Sequence, residues 1–544
     1  MQRQIGTLAD HSRGYPWSWK ELIGAKQRIN VWILDNIVRG AQRQGGTHMT
    51  SKNVVIHWFR RDLRLADNAA LHAAAQTGAQ VVPVYVLDDD APGTIAPGAA
   101  SRWWLHGSLD ALGTDLRAIG ARLILRRGDP VACLMALVAE TGAAAIHFSR
   151  GYEPRERERE VELKAACARA GIALRRFGGG ALFEPEVIGT RTGEPYRVFT
   201  PFWRSCLEAG PLGSPLPAAS SLAVPSRWPA SERLADWRLL PAKPDWAGGL
   251  RSAWQPGEAG AVARLTTFLD APVATYAGDR DRPDRAGTSR LSPHLHFGEI
   301  SPRQCWHAAR TMAAAEPGTE RGIASFLREI GWREFSIHLL FHWPAIIDRP
   351  FREDFTQFPW SEDATANARH LAAWQRGRTG YPIVDAGMRE LWQTGWMHNR
   401  VRMIVASFLA KHLLIPWQSG ARWFLDTLVD ADLASNQTSW QWVAGSGADA
   451  APYFRVFNPI LQGAKFDPDG AYVKRFIPEI ARLPAAHIHA PWEAPRDVLA
   501  AAGVVLGKTY PSPIVDHPAG RARALAAYSA LKAMNTEATP KDIA

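Results

Sequence analysis

The residues best suited to chemistry lie between Gly395 and Arg455, where indole side chains are interspersed with arginines, aspartates and asparagines. Four of the indoles of this stretch are Trp396, Trp417, Trp440 and Trp442. An ordinary core is built from Leu, Ile and Val, because a buried indole also needs a partner for its N–H. Indole stacks on flat ligands, meets cations face-on and passes single electrons. This stretch therefore predicts a planar cofactor next to a nucleic-acid base.

Two shorter motifs precede that stretch. The loop Gly287–Ser292, with the sequence GTSRLS, combines hydroxyls, a glycine and backbone N–H groups at a junction between loop and helix. Such a junction can hold a phosphate, although for this loop alone a Thr or Ser helix cap is the simpler explanation. Glu329 and Arg333 are one helical turn apart, so a surface ion pair is the default explanation for them. Trp332 lies on an adjacent face, from which it could stack on a base.

The segment Trp396–Met403 carries two arginines on one short helix. Asn399 and Met403 share a helical face, while Arg400 and Arg402 diverge from that face. The two guanidinium groups can therefore serve two different anions, a DNA phosphate and an internal carboxylate. Methionine at such a position is more often a core residue than a ligand contact.

The acidic pair Asp430 and Asp432 is followed by Asn436. Two aspartates at this spacing are compatible with calcium, but the glycine and the distal glutamate of a calcium-binding loop are missing. The sequence therefore predicts no metal site. Hydrogen bonds to a heteroaromatic ring fit these residues better.

Composition sets broad limits on the chain. A chain of 544 residues is too long to fold around one hydrophobic core, so its length predicts two domains. A formal net charge of +10 favours a polyanionic partner, although charge alone is weak evidence for DNA. The four cysteines are far apart and show no zinc-site spacing, so we expect a reducing, cytoplasmic location. No apolar run approaches the ~20 residues of a membrane span.

The pattern along the chain predicts two domains of different class. Strands alternating with helices predict an α/β domain, built on a doubly wound parallel sheet, over residues 51–185. A stretch rich in Pro, Ser and Gly predicts a long linker over 186–255. Helical spacing then predicts an all-α domain over 256–531, followed by a tail, 532–544. Residues 1–50 fit neither domain and are predicted to be an extension, either an upstream start or a disordered arm.

Longer motifs run through both predicted domains. They are WFRRDLRLADN, VFTPFWR, GTSRLSPHLHFGEISPRQ, WREF, TGYPIVDAGMRELWQTGWMHNR and the WQW region that ends at FNP. In this order they resemble the photolyase/cryptochrome flavoprotein family, from Val54 to about Leu531. Within that family the motifs are most similar to those of photolyases for cyclobutane pyrimidine dimers. The resemblance implies light-driven repair of such dimers in UV-damaged DNA.

The resemblance also implies a folded-over FAD inside the helical domain. The residues that would hold its phosphates are Tyr276, Thr288, Ser289, Arg290, Leu291 and Ser292. The residues that would line the cofactor are Glu329, Arg333, Asn399, Arg402, Asp430, Asp432 and Asn436, with Arg402 paired to Asp430. Asn436 would face flavin N5, where an amide favours the fully reduced flavin used in repair.

Further roles follow from the same resemblance. Glu329 would hydrogen-bond the flipped dimer, which Trp332 and Trp442 would hold between their rings. Asn399 and Met403 would complete the lesion pocket. The contacts to the backbone of the damaged strand would be Arg280, Arg400 and Gln462. The indoles that would carry electrons between the flavin and the protein surface are Trp440, Trp417 and Trp360.

A second, light-harvesting chromophore is expected in or beside the α/β domain, and its identity stays open between a folate and a deazaflavin. Arg155 stands where one folate-binding subgroup has asparagine, and a histidine expected near residues 88–97 is absent.

Two relatives with other functions are the alternatives. They are a photolyase for (6–4) photoproducts and a cryptochrome-type blue-light photoreceptor. The first carries histidines where this chain has Asn399 and Met403, and the second commonly has a long C-terminal tail. We therefore expect an enzyme that repairs cyclobutane dimers. We also expect it to be a monomer.

Overall fold

The computed structural model describes residues 54–89, 95–210, 213–449 and 454–537. The predicted extension over residues 1–50 and the last residues of the predicted tail lie outside these ranges.

A fully parallel sheet forms the N-terminal domain, and its strand order is β3-β2-β1-β4-β5. The strands are β1 (Val54–Phe59), β2 (Gln80–Leu87), β3 (Ile124–Arg127), β4 (Ala143–Ser149) and β5 (Ala173–Phe177). Every residue of the central strand β1 is buried, as expected for a parallel strand covered on both faces. Strand order reverses between β1 and β4, which is where open α/β sheets form a ligand crevice.

Helices cover both faces of this sheet. They are α1 (Ala69–Gln76), α2 (Ala99–Ala118), α3 (Pro130–Thr141) and α4 (Pro154–Ala170). The start of α1 is set locally, because the Asn68 side chain accepts a hydrogen bond from the backbone N–H of Leu71. Alternate residues of β1 enter separate apolar cores, Val55 on one face and Ile56 on the other. The predicted doubly wound parallel sheet is confirmed.

The rest of the described chain is helical. The connection between the domains contains α5 (Phe199–Ala209), the 3-10 helix Leu234–Trp237 and α6 (Gly248–Ala253). The first half of the helical domain contains α7 (Glu258–Asp270), α8 (Pro272–Asp279), α9 (Ser292–Phe297), α10 (Pro302–Ala315), α11 (Glu320–His342), the 3-10 helices Pro344–Ile347 and Glu353–Gln357, α12 (Ala364–Gln375), α13 (Pro382–Thr394) and α14 (Asn399–Ser407). The second half contains a π-helical turn (Phe408–His412), α15 (Trp417–Thr427), α16 (Leu433–Ala444), α17 (Pro459–Phe466), α18 (Ala471–Phe476), the 3-10 helix Pro478–Ile480, α19 (Ala485–Ile488), the 3-10 helix Pro491–Glu493, α20 (Arg496–Ala502) and α21 (His517–Glu537). The expected α/β plus all-α architecture is confirmed.

Two boundaries differ from the expected ones. Helix α5 lies inside the predicted linker, yet it buries Phe199, Phe202 and Cys206 and packs against α11. These side chains lie three and four residues apart, which is the helical spacing of an apolar face. Helix α21 continues to Glu537, beyond the expected end of the domain at residue 531.

Candidate functional site

Helix α14 supplies the central ion pair of the site. The Arg402 guanidinium donates to both carboxylate oxygens of Asp430, at 2.8 and 3.1 Å, and its Nε donates to the Met397 carbonyl at 2.7 Å. Three hydrogen bonds thus fix Arg402. The structure therefore brings together the two residues expected to pair, and it places Asn399, the exposed first residue of α14, on the same turn of helix.

The loop before α9 presents an arginine that has no carboxylate partner among the residues that the structure describes. Arg290 has a φ of +51°, an uncommon conformation for this residue type. Its guanidinium lies over Trp254 at 4.4 Å and over Trp396 at 4.8 Å, and its Nε has no hydrogen-bond partner among the described residues. Burial lowers the pKa of Arg290, so an anion would offset an unfavourable charge here.

The hydroxyls of the same loop lie beside that guanidinium. Trp396 Nε1 donates to Ser292 Oγ at 3.3 Å, and Ser289 Oγ accepts from the backbone N–H of Leu291 at 3.4 Å. Tyr276, on α8, is buried. Ser292 and the Arg290 guanidinium therefore contact the same indole, Trp396, and the phosphate-binding role of this loop stays a prediction.

Asp432 marks the start of α16, where its side chain accepts from the Ser435 backbone N–H at 2.8 Å. Burial opposes ionisation of this carboxyl, but His296, Arg333 and Arg61 outweigh burial and hold its pKa well below the usual range. Burial also lowers the pKa of His296, so the ring acts at pH 7 as a neutral hydrogen-bonding partner rather than as a cation. Asp432 is therefore a partly buried residue whose side chain is held as a carboxylate.

Asn436 follows one turn later on α16 and is 8% exposed. Its amide NH2 donates to the Ala421 carbonyl at 3.1 Å and to Gln437 Oε1 at 3.2 Å. Both amide protons are thereby engaged, so the side-chain orientation is fixed by α15 and α16.

These residues fit a bound FAD. Arg290, whose Nε has no hydrogen-bond partner among the described residues, suits a diphosphate, and indole faces suit flat rings. The Asp432 carboxylate and the Asn436 amide suit the hydrogen-bonding edge of a heterocycle. The donor set therefore agrees with the expected cofactor.

Three of the residues expected to contact the lesion or the damaged strand, Arg280, Glu329 and Arg400, are connected by ion pairs. The Arg280 guanidinium pairs with Glu329, and Arg400 Nη2 pairs with Asp281 at 2.8 Å. Asp281 also lies 3.9 Å from Arg280 Nε, so it connects both arginines. Burial raises the pKa of Glu329 although Arg280 opposes this shift. Sequence reasoning missed Asp281, whose only signal was the charged turn DRDRPDRA.

Two indoles border the same region. Trp332 is partly buried and stacks on Phe199, with ring centroids 3.7 Å apart and planes 8° apart. Trp442 is also partly buried, and its Nε1 donates to the Asp449 carbonyl at 3.1 Å. Phe199 fixes the plane of Trp332, a role that no sequence motif indicated.

The remaining lesion-pocket and strand residues are less constrained. Met403 Sδ lies 3.8 Å from Arg400 Nη1, and the Arg400 guanidinium lies over Phe466 at 4.5 Å. Gln462 is partly buried on the same helix as Phe466, α17. Arg400 is thus anchored between Asp281 and α17.

Three of the tryptophans share one apolar core. Trp440 and Trp417 are 2% and 1% exposed, and both belong to the core that also contains Trp374. Trp360, the outermost predicted relay position, packs against this core while only partly buried. Trp374 was not among the expected relay residues, although its ring centroid is 6.1 Å from that of Trp440.

Arg333 faces the α/β domain. Its guanidinium donates to the Gly180 carbonyl at 2.9 Å and to Glu334 at 3.0 Å. It also lines a cavity between the domains, together with Asp432 and Arg61. Burial raises the pKa of Glu334 to about 7, although Arg333 opposes the shift. Arg333 is therefore placed to connect the two domains beside the Asp432 carboxylate.

Comparison with known proteins decides the family. The sequence pattern described as the FAD binding domain of DNA photolyase matches residues 326–530, and that of DNA photolyase matches residues 55–221. A deoxyribodipyrimidine photo-lyase from Agrobacterium fabrum is 52% identical over 478 residues, which cover 88% of this chain and 98% of that protein. The chain belongs to the photolyase/cryptochrome family.

Other members of the photolyase/cryptochrome family align over similar lengths. Cryptochrome-1 of Arabidopsis thaliana is 42% identical over 479 residues, covering 86% of this chain and 69% of that protein. The crystal structure of a bacterial class III photolyase from Agrobacterium tumefaciens superposes with a TM-score of 0.85 at 50% identity, covering 90% of this chain and all of the other. The resemblance that the motifs indicated is thus confirmed.

None of the helices in the described part of the chain combines the length and apolar character that crossing a membrane requires.

Proposed function

We propose that this protein is a photolyase that uses light to reverse cyclobutane pyrimidine dimers in DNA. The observation that carries the proposal is the pairing of α11 with α16. Thr438 Oγ1 donates to Ser336 Oγ at 2.9 Å, which joins the two helices directly. Helix α11 carries Glu329 and Trp332, and α16 carries Asn436, Trp440 and Trp442, so this helix pair carries members of the cofactor, lesion and electron-carrying sets.

The chemistry depends on the cofactor that the donor set fits. When bound and fully reduced, FAD would supply one light-driven electron and would recover it after the dimer has split, so that the reaction has no net redox change. Arg290 and the Thr288–Ser292 loop would hold its diphosphate, while Asn436 and Asp432 would orient its ring system. The Arg402–Asp430 pair holds α14 against α16. The chain itself supplies orientation, dry surroundings and electrostatics.

The lesion pocket is formed around the extruded dimer. Trp332 and Trp442 cover its two sides, and Asn399 and Met403 line the remainder. Flipping is less costly for a dimer than for an intact base pair, because the lesion already stacks and pairs badly.

Glu329 donates a hydrogen bond to a dimer carbonyl. Burial raises the pKa of Glu329 and favours its proton-bearing form. The protonated carboxyl can then stabilise negative charge on the dimer when the electron arrives. Arg280, released from Glu329, turns to the phosphates of the damaged strand. The ring-opening step breaks the C5–C5 and C6–C6 bonds between the pyrimidines.

The indoles Trp440, Trp417 and Trp360 carry electrons from the surface when the cofactor has become oxidised. We further propose that a folate or a deazaflavin bound to the α/β domain collects light. The protein acts as a cytoplasmic monomer.

A signalling photoreceptor is the second candidate, and the 42% identity with a plant cryptochrome favours it. The test uses reduced, flavin-containing protein with two duplexes, one with a cyclobutane dimer and one with a (6–4) photoproduct. Blue light should remove only the cyclobutane dimer, and the dark control should remove neither. Flavin-containing protein that leaves both lesions intact would support the photoreceptor instead.

A further inference from the structure

The π-helical turn after α14 places a lysine in the protein interior. Lys411 is 3% exposed, and its ammonium donates to the Arg455 carbonyl at 2.6 Å while lying 4.1 Å from the centroid of the Phe454 ring. An ammonium has three protons to donate, but among the described residues Lys411 has only this one acceptor. Lys411 also forms no ion pair with any carboxylate of the residues that the structure describes. A buried cation of this kind is costly unless an anion compensates it.

A partly open cavity of about 70 Å³ lies against this lysine. Its walls include two further cationic side chains, Arg352 and Arg455, and the indole of Trp442. A single water needs roughly 10–15 Å³ of such space, so the cavity has room for a group of several heavy atoms. Its lining combines positive charge with aromatic rings, which suits a compact anion.

The arginines differ from the lysine in exposure and pairing. Arg352 pairs with Asp354 at 2.6 Å and is 40% exposed, and Arg455 is exposed and lies over the Phe457 ring at 5.0 Å. Both can therefore receive an anion from solvent at the mouth of the cavity. Lys411 is the one member of this set whose charge is both buried and uncompensated by a carboxylate within the described residues.

We propose that this cavity binds a phosphate group, with Lys411 as its innermost ligand and Arg352 and Arg455 at its entrance. Trp442 forms one wall of the cavity and one side of the proposed lesion pocket. Resting on the proposed function, we infer that the phosphate belongs to the damaged strand beside the dimer. Burial, helped by the charge of Arg455, lowers the pKa of Lys411 to about 7 and so supports the need for a counter-anion.

The test measures binding of a duplex with one cyclobutane dimer, by fluorescence anisotropy over a range of NaCl concentrations. Lys411→Met should weaken binding at low salt about tenfold or more, as expected for losing one charge-assisted hydrogen bond. It should also make the plot of log K against log [NaCl] less steep by about 0.9, the value for one phosphate contact. Lys411→Arg should retain most of the binding affinity at low salt and most of the salt dependence. The control Lys164→Met, at an exposed position on α4, should change neither quantity.

A second arm distinguishes DNA from free phosphate as the source of the anion. Inorganic phosphate is titrated against each protein while the unfolding temperature is followed. If phosphate stabilises the wild type but not Lys411→Met, and DNA binding is equal, the site takes free phosphate and the assignment to DNA fails. Weaker DNA binding with an unchanged salt slope would mean that Lys411 only supports the loop at Phe454, which would overturn the phosphate site.

Failure of this proposal is separable from failure of the proposed function. Light-driven dimer removal by the wild type tests the proposed function without any variant. A wild type that repairs dimers, together with a Lys411→Met variant of unchanged DNA affinity, would therefore overturn the phosphate site alone. Flavin content and unfolding temperature show whether the variant is folded.

Discussion

At the scale of single residues, the carboxyl of Glu329 has the most specific proposed role. Replacing it with alanine should lower the repair yield per absorbed photon about fivefold, corresponding to one lost hydrogen bond of ~1 kcal/mol. Flavin content should not change. The measurement is dimer loss per photon at saturating DNA, with Glu208→Ala, an exposed position on α5, as the control. An unchanged yield would exclude the role.

The indoles proposed to carry electrons, Trp440, Trp417 and Trp360, lead to a second prediction about a single residue. Trp417→Phe should slow light-driven reduction of oxidised flavin, because phenylalanine is much harder to oxidise than tryptophan. Chemically reduced protein should repair DNA at the wild-type rate. Absorbance changes of the flavin under continuous light measure the first quantity, and Trp58→Phe, on the central strand of the other domain, is the control. Equal photoreduction by both variants would remove Trp417 from the route.

Single residues also show the limit of sequence reasoning. The ion pair of Arg402 with Asp430 was predictable, because it follows from a motif with a recognisable family pattern. The pairing of Arg400 with Asp281 was not, since the two residues are far apart in sequence and meet only through tertiary packing. The same applies to Phe199, which comes from the connection between the domains and lies against Trp332.

At the scale of elements, the contact between α15 and α16 positions the innermost indole. A side chain at Gly420 would overlap the six-membered ring of Trp440, which is held on its other sides by Phe424 and Trp374. Glycine is therefore required by the close approach of the two helices rather than by its backbone angles.

Gly420→Ala should lower the free energy of unfolding by about 1–3 kcal/mol, the usual cost of overpacking a core. It should also slow flavin photoreduction, because Trp440 must move. Urea unfolding and photoreduction are the two measurements. Gly248→Ala is the matched control, since a methyl group there meets nothing within 4 Å. Equal stability of the two variants would contradict the packing argument.

Elements were predictable where their periodicity was long and uninterrupted. The strands of the sheet and helix α11 follow from their apolar patterns alone. Helix α5 was not expected, because the Pro- and Gly-rich residues around it resemble a surface connection. The π-helical turn at Phe408–His412 has no distinct sequence signal, since its side-chain pattern continues that of α14.

At the scale of the whole molecule, the loop after β1 forms hydrogen bonds that connect the two domains. Asp67 accepts hydrogen bonds from Ser301 Oγ at 2.5 Å and from Arg303 Nε at 3.1 Å, although it belongs to the α/β domain. Its carboxyl is 1% exposed. Burial opposes ionisation of Asp67, but its bonds to Arg303 and Ser301 outweigh burial and lower its pKa.

Asp67→Ala should lower the free energy of unfolding by about 3–5 kcal/mol, because it leaves Arg303 without its partner. The wild type should also lose this contribution as pH falls below the usual aspartate range, since the folded protein holds the carboxyl ionised. Urea unfolding at neutral and acidic pH measures both effects. A variant as stable as the wild type at neutral pH would show that the domains are held together by other contacts.

The central claim is that one absorbed photon lets the reduced protein split a bound pyrimidine dimer. The most direct measurement is a single-flash experiment on fully reduced protein saturated with an oligonucleotide that contains one dimer. Thymine absorbance should rise after each flash, in proportion to the flavin-containing protein, and should not rise in the dark. A constant thymine absorbance, with flavin reduced and DNA bound, would contradict the account.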